Sequence, residues 1–354
     1  MTAADTLART DAVIADGQTL EARGDAAALT GALRHYDAAI TLLHESPFDT
    51  NERLRHQLAR AWMNRANALQ RQAARADAVA AYDEAIALFG TLPLARHPGY
   101  RNNLAAAWMN RGHALQSAGD AVSLRDAARS FETAIALLSS LPPAADRSRG
   151  IILAASALNL AACCLLLGDN ERALVHARAA AACAAPGQED DPGFADIALK
   201  SHRAACDAIG HLIARAETER GSVDTLADEA SDLVDAALAL ARRWEARGVP
   251  LFRPIAARLF RFGAQLYALH LPDFLAEFVL EHLDPVRSPG AMPFDDEFFL
   301  AAAESLARVR QDLADRRTVF LDSPETTRLL DRLRDLRAAE ARLAELRPPH
   351  DAHP

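Results

Sequence analysis

Two stretches of this chain are near copies of one another. Residues 58–70 read LARAWMNRANALQ, and residues 104–116 read LAAAWMNRGHALQ. Trp62, Met63, Asn64, Arg65, Ala68, Leu69 and Gln70 return 46 residues later as Trp108, Met109, Asn110, Arg111, Ala114, Leu115 and Gln116. A fixed period of this size marks stacked supersecondary units, none of which can bury its apolar surface alone. The chain is therefore expected to form an array rather than one closed core.

The segments that follow each copy repeat as well. HYDAAITLLHESP (35–47), AYDEAIALFGTLP (81–93) and SFETAIALLSSLP (130–142) share an aromatic at Tyr36, Tyr82 or Phe131. An alanine stands four residues before each aromatic (Ala32, Ala78, Ala127) and a proline eleven after it (Pro47, Pro93, Pro142). The alanine lets a neighbouring backbone approach, the aromatic fills the space between helices, and the proline forces the chain to turn. Weaker copies flank these. Val13, Gly17, Leu20 and Gly24-Asp25 lie in front, and Ala157, Asn159, Ala161, Cys164, Gly168-Asp169, Ala173 and Ala177 lie behind. Four units result, at about 10–47, 50–94, 99–143 and 150–186.

Within each unit the apolar residues recur at three- and four-residue steps, as in Leu58, Trp62, Met63, Ala66 and Leu69, which predicts two helices per unit. No strand-like alternation appears. Gly24-Asp25, Gly119-Asp120 and Gly168-Asp169 read as turns between paired helices, where glycine can take a positive φ.

The run Trp108-Met109-Asn110-Arg111-Gly112-His113-Ala114-Leu115 resembles the tetratricopeptide-repeat signature W-x2-L-G-x2-Y, with Leu115 in the tyrosine place. The Ala-x3-Tyr/Phe pairs and trailing prolines fit the second half of that repeat. The resemblance covers about residues 10–186. It departs from the family in period, 46–49 rather than 34, nearer to the long repeats of kinesin-light-chain-like arrays. It departs also in Arg65 and Arg111, which stand in a place usually held by leucine. The resemblance implies an all-α, right-handed α-solenoid of helix pairs, with the first helices lining a concave groove.

Beyond residue 190, helices are expected over 193–218, 222–247, 252–270, 273–284, 294–317 and 324–347, punctuated by Gly221, Gly248-Val249-Pro250, Pro272, Pro285 and Ser288-Pro289-Gly290. The array (1–190) is thus followed by a second helical section (191–348) and a disordered tail (349–354). Gly263, Leu266 and Tyr267 could be a degenerate repeat. The phenylalanines of 251–299 read as a local core: Phe252, Phe260, Phe262, Phe274, Phe278, Phe294, Phe298 and Phe299. The last helix reads as a cap on the array rather than a coiled coil, because Glu340 interrupts its apolar seam.

Composition narrows the function. The net charge of −9 disfavours binding of a nucleic-acid duplex, which needs a basic face. No run of about 18 apolar residues suggests a membrane span. Met1–Gly17 carries acids and no apolar segment, so a secretory signal is not expected and the default location is cytoplasmic. Cys163, Cys164, Cys183 and Cys206 lack metal-ligand spacing. No phosphate-binding loop, HExxH, GxSxG or paired CxxC occurs. Asp295-Asp296-Glu297 sits at an expected helix start, where acids favour the dipole. No metal, cofactor or catalytic residue is expected.

Carried onto this chain, the resemblance implies that Asn64, Asn110 and Asn159 face the groove, with Asn67, His113, Arg60, Gln70 and Gln116 on or near the same face. Each carboxamide offers an acceptor and two donors, which suits an extended peptide backbone; the same asparagines could also bond within the array. Arg65 and Arg111 could pair with Asp37, Asp83, Glu84 or Glu132 of the second helices, or could recognise an acidic ligand. The expected role is a non-catalytic scaffold or adaptor holding a protein or peptide partner. A peptide or small-molecule sensor, and an enzyme with its site in 251–299, are the alternatives. The partner and the oligomeric state are not legible.

Overall fold

The computed structural model describes residues 2–139, 146–219 and 222–270, together with Phe278, Arg334, Arg337, Ala338 and Ala341. The chain divides into two compact units, Met1–Cys183 and Ala184–Pro354. Every regular element among the described residues is helical.

The first unit is an α-solenoid. Its helices are α1 (Ala3–Arg23), α2 (Ala26–His44), α3 (Glu52–Arg71), α4 (Arg75–Gly90), α5 (Pro98–Gln116), α6 (Ala121–Ser139), α7 (Arg147–Leu166) and α8 (Asn170–Ala184). α1 packs on α2, α3 on α4 and α5 on α6, and each second helix also packs on the next first helix. The first helices α1, α3, α5 and α7 touch one another in order and form a continuous layer. They run 21, 20, 19 and 20 residues, and their length accounts for much of the long period.

The repeated small and aromatic residues meet as helix pairs. Tyr36, Tyr82 and Phe131 are fully buried, as are Ala32, Ala78 and Ala127. A Cβ on Gly17 would lie 2.7 Å from Tyr36 Cε1, and one on Gly112 would lie 2.8 Å from Phe131 Cε1. Only a missing side chain admits those rings so close to the first helix. In the second pair, Ala66 and Tyr82 share one core cluster. In the fourth, Ala161 and Ala177 are both buried, keeping the frame without the aromatic.

The Gly-Asp dipeptides serve two helices each. Gly24, Gly119 and Gly168 take φ of 76°, 76° and 78°, the left-handed geometry that ends one helix. The aspartate beside each then caps the next helix, accepting from the backbone N–H of Ala28, Ser123 and Arg172 respectively. In the second repeat Ala73 holds the left-handed place, with φ 60°.

The structure differs from expectation in two respects here. The first repeat begins at Ala3 rather than near residue 10, within the expected array of 1–190, on a capping box between Thr2 and Asp5. Helix α7 is long and apolar enough to cross a membrane by length and composition, against the expectation that no such run exists; half of that stretch is buried.

The second unit contains α9 (Pro192–Thr218), α10 (Asp224–Ala246), a short 3-10 turn at Pro250–Phe252 and α11 (Arg253–His270). α9, α10 and α11 pack on one another. Trp244 packs edge-on against Phe252 at 6.0 Å and donates from Nε1 to the Gln188 carbonyl at 2.8 Å. Arg243 forks onto both carboxylate oxygens of Glu189, at 3.1 and 2.8 Å. Phe278 stacks on Phe260 and Tyr267 at 5.1 and 4.5 Å, and Phe252, Phe260 and Phe278 are buried in a core. Phe274, Phe294, Phe298, Phe299, the cluster Asp295-Asp296-Glu297, most of the proposed capping helix and the tail lie outside the described residues.

Candidate functional site

The first-helix layer carries a set of polar pairs between successive helices. Three of them join α3 to α5. Asn103 Nδ2 donates to His56 Nε2 at 2.8 Å, Asn110 Nδ2 to Asn67 Oδ1 at 3.2 Å, and Gln70 Nε2 to His113 Nδ1 at 2.6 Å. Two join α1 to α3: Gln57 Nε2 donates to Asp11 Oδ1 at 2.6 Å, and Arg71 lies 3.7 Å from the Glu21 carboxylate. Arg60 adds to that step, donating to Gln57 Oε1 at 3.1 Å and lying 3.8 Å from Asp11. At the α5–α7 step Asn102 Nδ2 donates to Asp146, the residue that caps α7, at 2.7 Å.

The second-helix layer supports this face from behind. The Tyr82 hydroxyl of α4 lies 2.7 Å from Asn67 Oδ1 and 2.9 Å from Gln70 Oε1. Burial raises its pKa well above the ordinary phenol value, so it stays a donor, serving one oxygen at a time. Burial, reinforced by the nearby Arg60 cation, pushes His56 down to about 4. The ring is therefore neutral at physiological pH. The bond from Asn103 to its Nε2 places the ring proton on Nδ1.

The residues expected on this face thus divide. Asn67, Asn110, Gln70 and His113 form one connected network, and Arg60 belongs to the neighbouring one. Asn64 is buried to 8% exposure, and its Nδ2 has no hydrogen-bond partner among the described residues. It does not stand beside Asn110 as an equal rung. Gln116 and Asn159 are half-buried and stand outside these pairs. Met63 and Met109 are half-buried on the same two helices, packing with Trp62 and Trp108 around the apolar clusters between repeats.

Gln57, Asp11, His56 and Asn103 belong to these pairs without having been expected to, and Tyr82 was expected only as a core aromatic. A signal for part of it existed. Gln57 and Asn103 are 46 residues apart, so they are equivalent positions, and each amide reaches back to the preceding first helix. A polar side chain recurring at the repeat period on an inward-facing register is expected to have a partner one repeat away.

The two arginines of the repeated motif are engaged elsewhere. Arg65 Nε lies 2.7 Å from Asp37, and Arg111 Nε lies 2.7 Å from Asp83. Both partners belong to the second helix of the preceding repeat.

No family model matches the chain, and no curated protein matches it. Among solved structures, the apo form of RapI is similar at 12% identity, over 95% of this chain and 99% of that one, with a TM-score of 0.42. A circular tandem repeat protein with novel repeat topology and enhanced subunit contact surfaces is similar at 14% identity, over 90% of this chain and 78% of that one, with a TM-score of 0.30.

Proposed function

We propose that the first unit is a long-period relative of the tetratricopeptide repeats and that it holds an extended peptide of a partner protein on the first-helix layer. The observation that carries this reading is the Asn67–Asn110 pair, 3.2 Å apart on adjacent helices. The bond consumes one donor and one acceptor of the pair. The remaining amide valences include the Asn110 oxygen, its second N–H and the Asn67 NH2 group. Beside them, Gln70 occupies Nδ1 of His113, which leaves Nε2 of that exposed ring as a donor. A set of fixed donors and acceptors suits the peptide backbone, whose groups repeat whatever its side chains are. The half-buried thioethers of Met63 and Met109 supply adaptable apolar contact.

The role proposed is non-catalytic. The cysteines support it, because burial raises every thiol and takes Cys163 up to about 12. A thiol so shifted is a poor nucleophile at neutral pH.

The test is a peptide array probed with the intact chain and with the Asn67→Ala/Asn110→Ala variant. Loss of about tenfold or more in affinity is expected, as for a few backbone hydrogen bonds, with unchanged helical content. A variant that binds the same peptides equally well moves the site off this face.

A further inference from the structure

The fourth repeat breaks the pattern of the second and third, and a pocket opens where it does. The residue after each second-helix aromatic is acidic: Asp37, Asp83, then Glu132. The residue after each first-helix asparagine is Arg65, Arg111, then Leu160. In the earlier repeats the arginine lies against the preceding acid. Leu160 cannot do so, being an apolar side chain buried to 1% exposure. Four residues further along the same helices, Leu69 and Leu115 give way to the smaller Cys164. The consequence is a pocket of about 400 Å³ between α6, the end of α7 and the start of α8. Arg125, Arg129, Glu132, Cys164, Asp169 and Arg172 line it.

Its charges are unequally committed. Glu132 is claimed by Arg172, which comes from α8 at 2.8 Å and also lies 3.6 Å from Asp169. These three groups neutralise one another to a net of one negative charge. Arg129 is held only by Asp126 of its own helix, one turn before, with 77% of its side chain exposed. Arg125 forms no hydrogen bond or ion pair among the described residues. Two guanidiniums one helical turn apart therefore face a void whose floor is the buried Cys164. Burial holds that thiol above its ordinary range, so the floor carries no competing negative charge.

We infer that this pocket is a second ligand site, taking a compact oxyanion, carboxylate or phosphate, on a small molecule. Arg125 and Arg129 supply forked donors suited to both kinds of group. The volume is within the range of small-molecule pockets. It lies between α6 and the α7–α8 turn, apart from the α3–α5 network, and stands or falls independently of the peptide reading.

The probes are inorganic pyrophosphate and succinate, titrated by calorimetry at low salt into the intact chain. Saturable binding of at least one is expected with a dissociation constant of about 1 mM or lower, and whichever binds identifies the oxyanion class. Arg125→Gln with Arg129→Gln is expected to weaken it about tenfold. Cys164→Leu restores the side chain of the earlier repeats and keeps every charge; it is expected to weaken binding by raising the floor of the pocket. Arg34→Gln, on α2, leaves it unchanged. Circular dichroism checks that each variant is folded. Saturable binding of neither probe overturns the inference, as does wild-type affinity in either pocket variant.

Discussion

Arg111 donates from Nε to Asp83 Oδ1 at 2.7 Å, linking the first helix of the third repeat to the second helix of the repeat before it. Arg65 and Asp37 do the same one repeat earlier, at the same distance and the same 28-residue separation. Each guanidinium also lies over the indole three residues before it, 5.6 Å from Trp108 and 5.5 Å from Trp62. Arg111 further donates to Ser130 at 2.9 Å. The tryptophan positions the guanidinium and the preceding repeat supplies the counter-charge, so the motif ties the step between repeats, and in the third repeat Arg111 also ties its own helix pair through Ser130.

Both aspartates remain about half exposed, so solvent screens the ion pair. A double-mutant cycle over Arg111→Ala and Asp83→Ala, followed by urea unfolding, should return a coupling of about 0.5–1 kcal/mol. Arg111→Ala alone should cost more than Asp83→Ala, because it also removes a cation–π contact of about 0.5–1 kcal/mol. A coupling indistinguishable from zero would show that the short distance contributes nothing to the array.

Ala73 and Gly119 occupy equivalent places, 46 residues apart, with φ of 60° and 76°. An L side chain pays roughly 1–2 kcal/mol in the left-handed region. Ala73→Gly should therefore raise stability, by up to about 1 kcal/mol after the entropy that glycine adds to the unfolded chain. Gly119→Ala should lower it by a similar amount. A Cβ there meets nothing within 4 Å, so the loss would be conformational rather than steric. Thermal melts of the two variants check both signs, and shifts in the same direction would refute the argument.

The repeat frame was open to reading because it rests on size and spacing. Gly17 or Gly112 beneath a ring, an alanine four residues before it, and glycine followed by aspartate at the turn are local signatures with local causes. The extent of α1 was hidden. Thr6 and Thr10 face the core, yet look polar in sequence; their hydroxyls are satisfied by carbonyls of their own helix. The amide pairs were hidden for another reason. Whether Asn110 meets solvent, a ligand or Asn67 depends on the axial stagger of α3 against α5, which no single helix encodes. Equivalent positions in sequence also have unequal neighbours: Asn110 finds Asn67 on α3, whereas Asn64 has Glu21 in the matching place on α1, already bonded by Tyr36 at 2.7 Å.

His56 gives the array a pH dependence whose direction follows from its surroundings. It packs between Phe89 and Tyr100, at 5.8 and 4.6 Å, and accepts from Asn103. Burial lowers it from 6.5 to about 4, and Arg60 adds to the shift against the opposing pull of Glu52 and Asp11. The unfolded chain takes up this proton below about 6.5, whereas the folded chain holds it off until about 4. Between those values the unfolded state binds more protons, so stability falls as pH falls. The contribution is intact above the unfolded value and is lost progressively on the way down to the folded one. His176 and His202 are lowered by burial too and add slope of the same sign. Urea midpoints measured from pH 7 to pH 4 should therefore decline less steeply in His56→Gln than in the unaltered chain. The difference in slope is bounded by one proton, about 1.4 kcal/mol per pH unit. Glutamine can still accept from Asn103 but does not titrate, so parallel curves would mean that His56 is not held neutral by the fold.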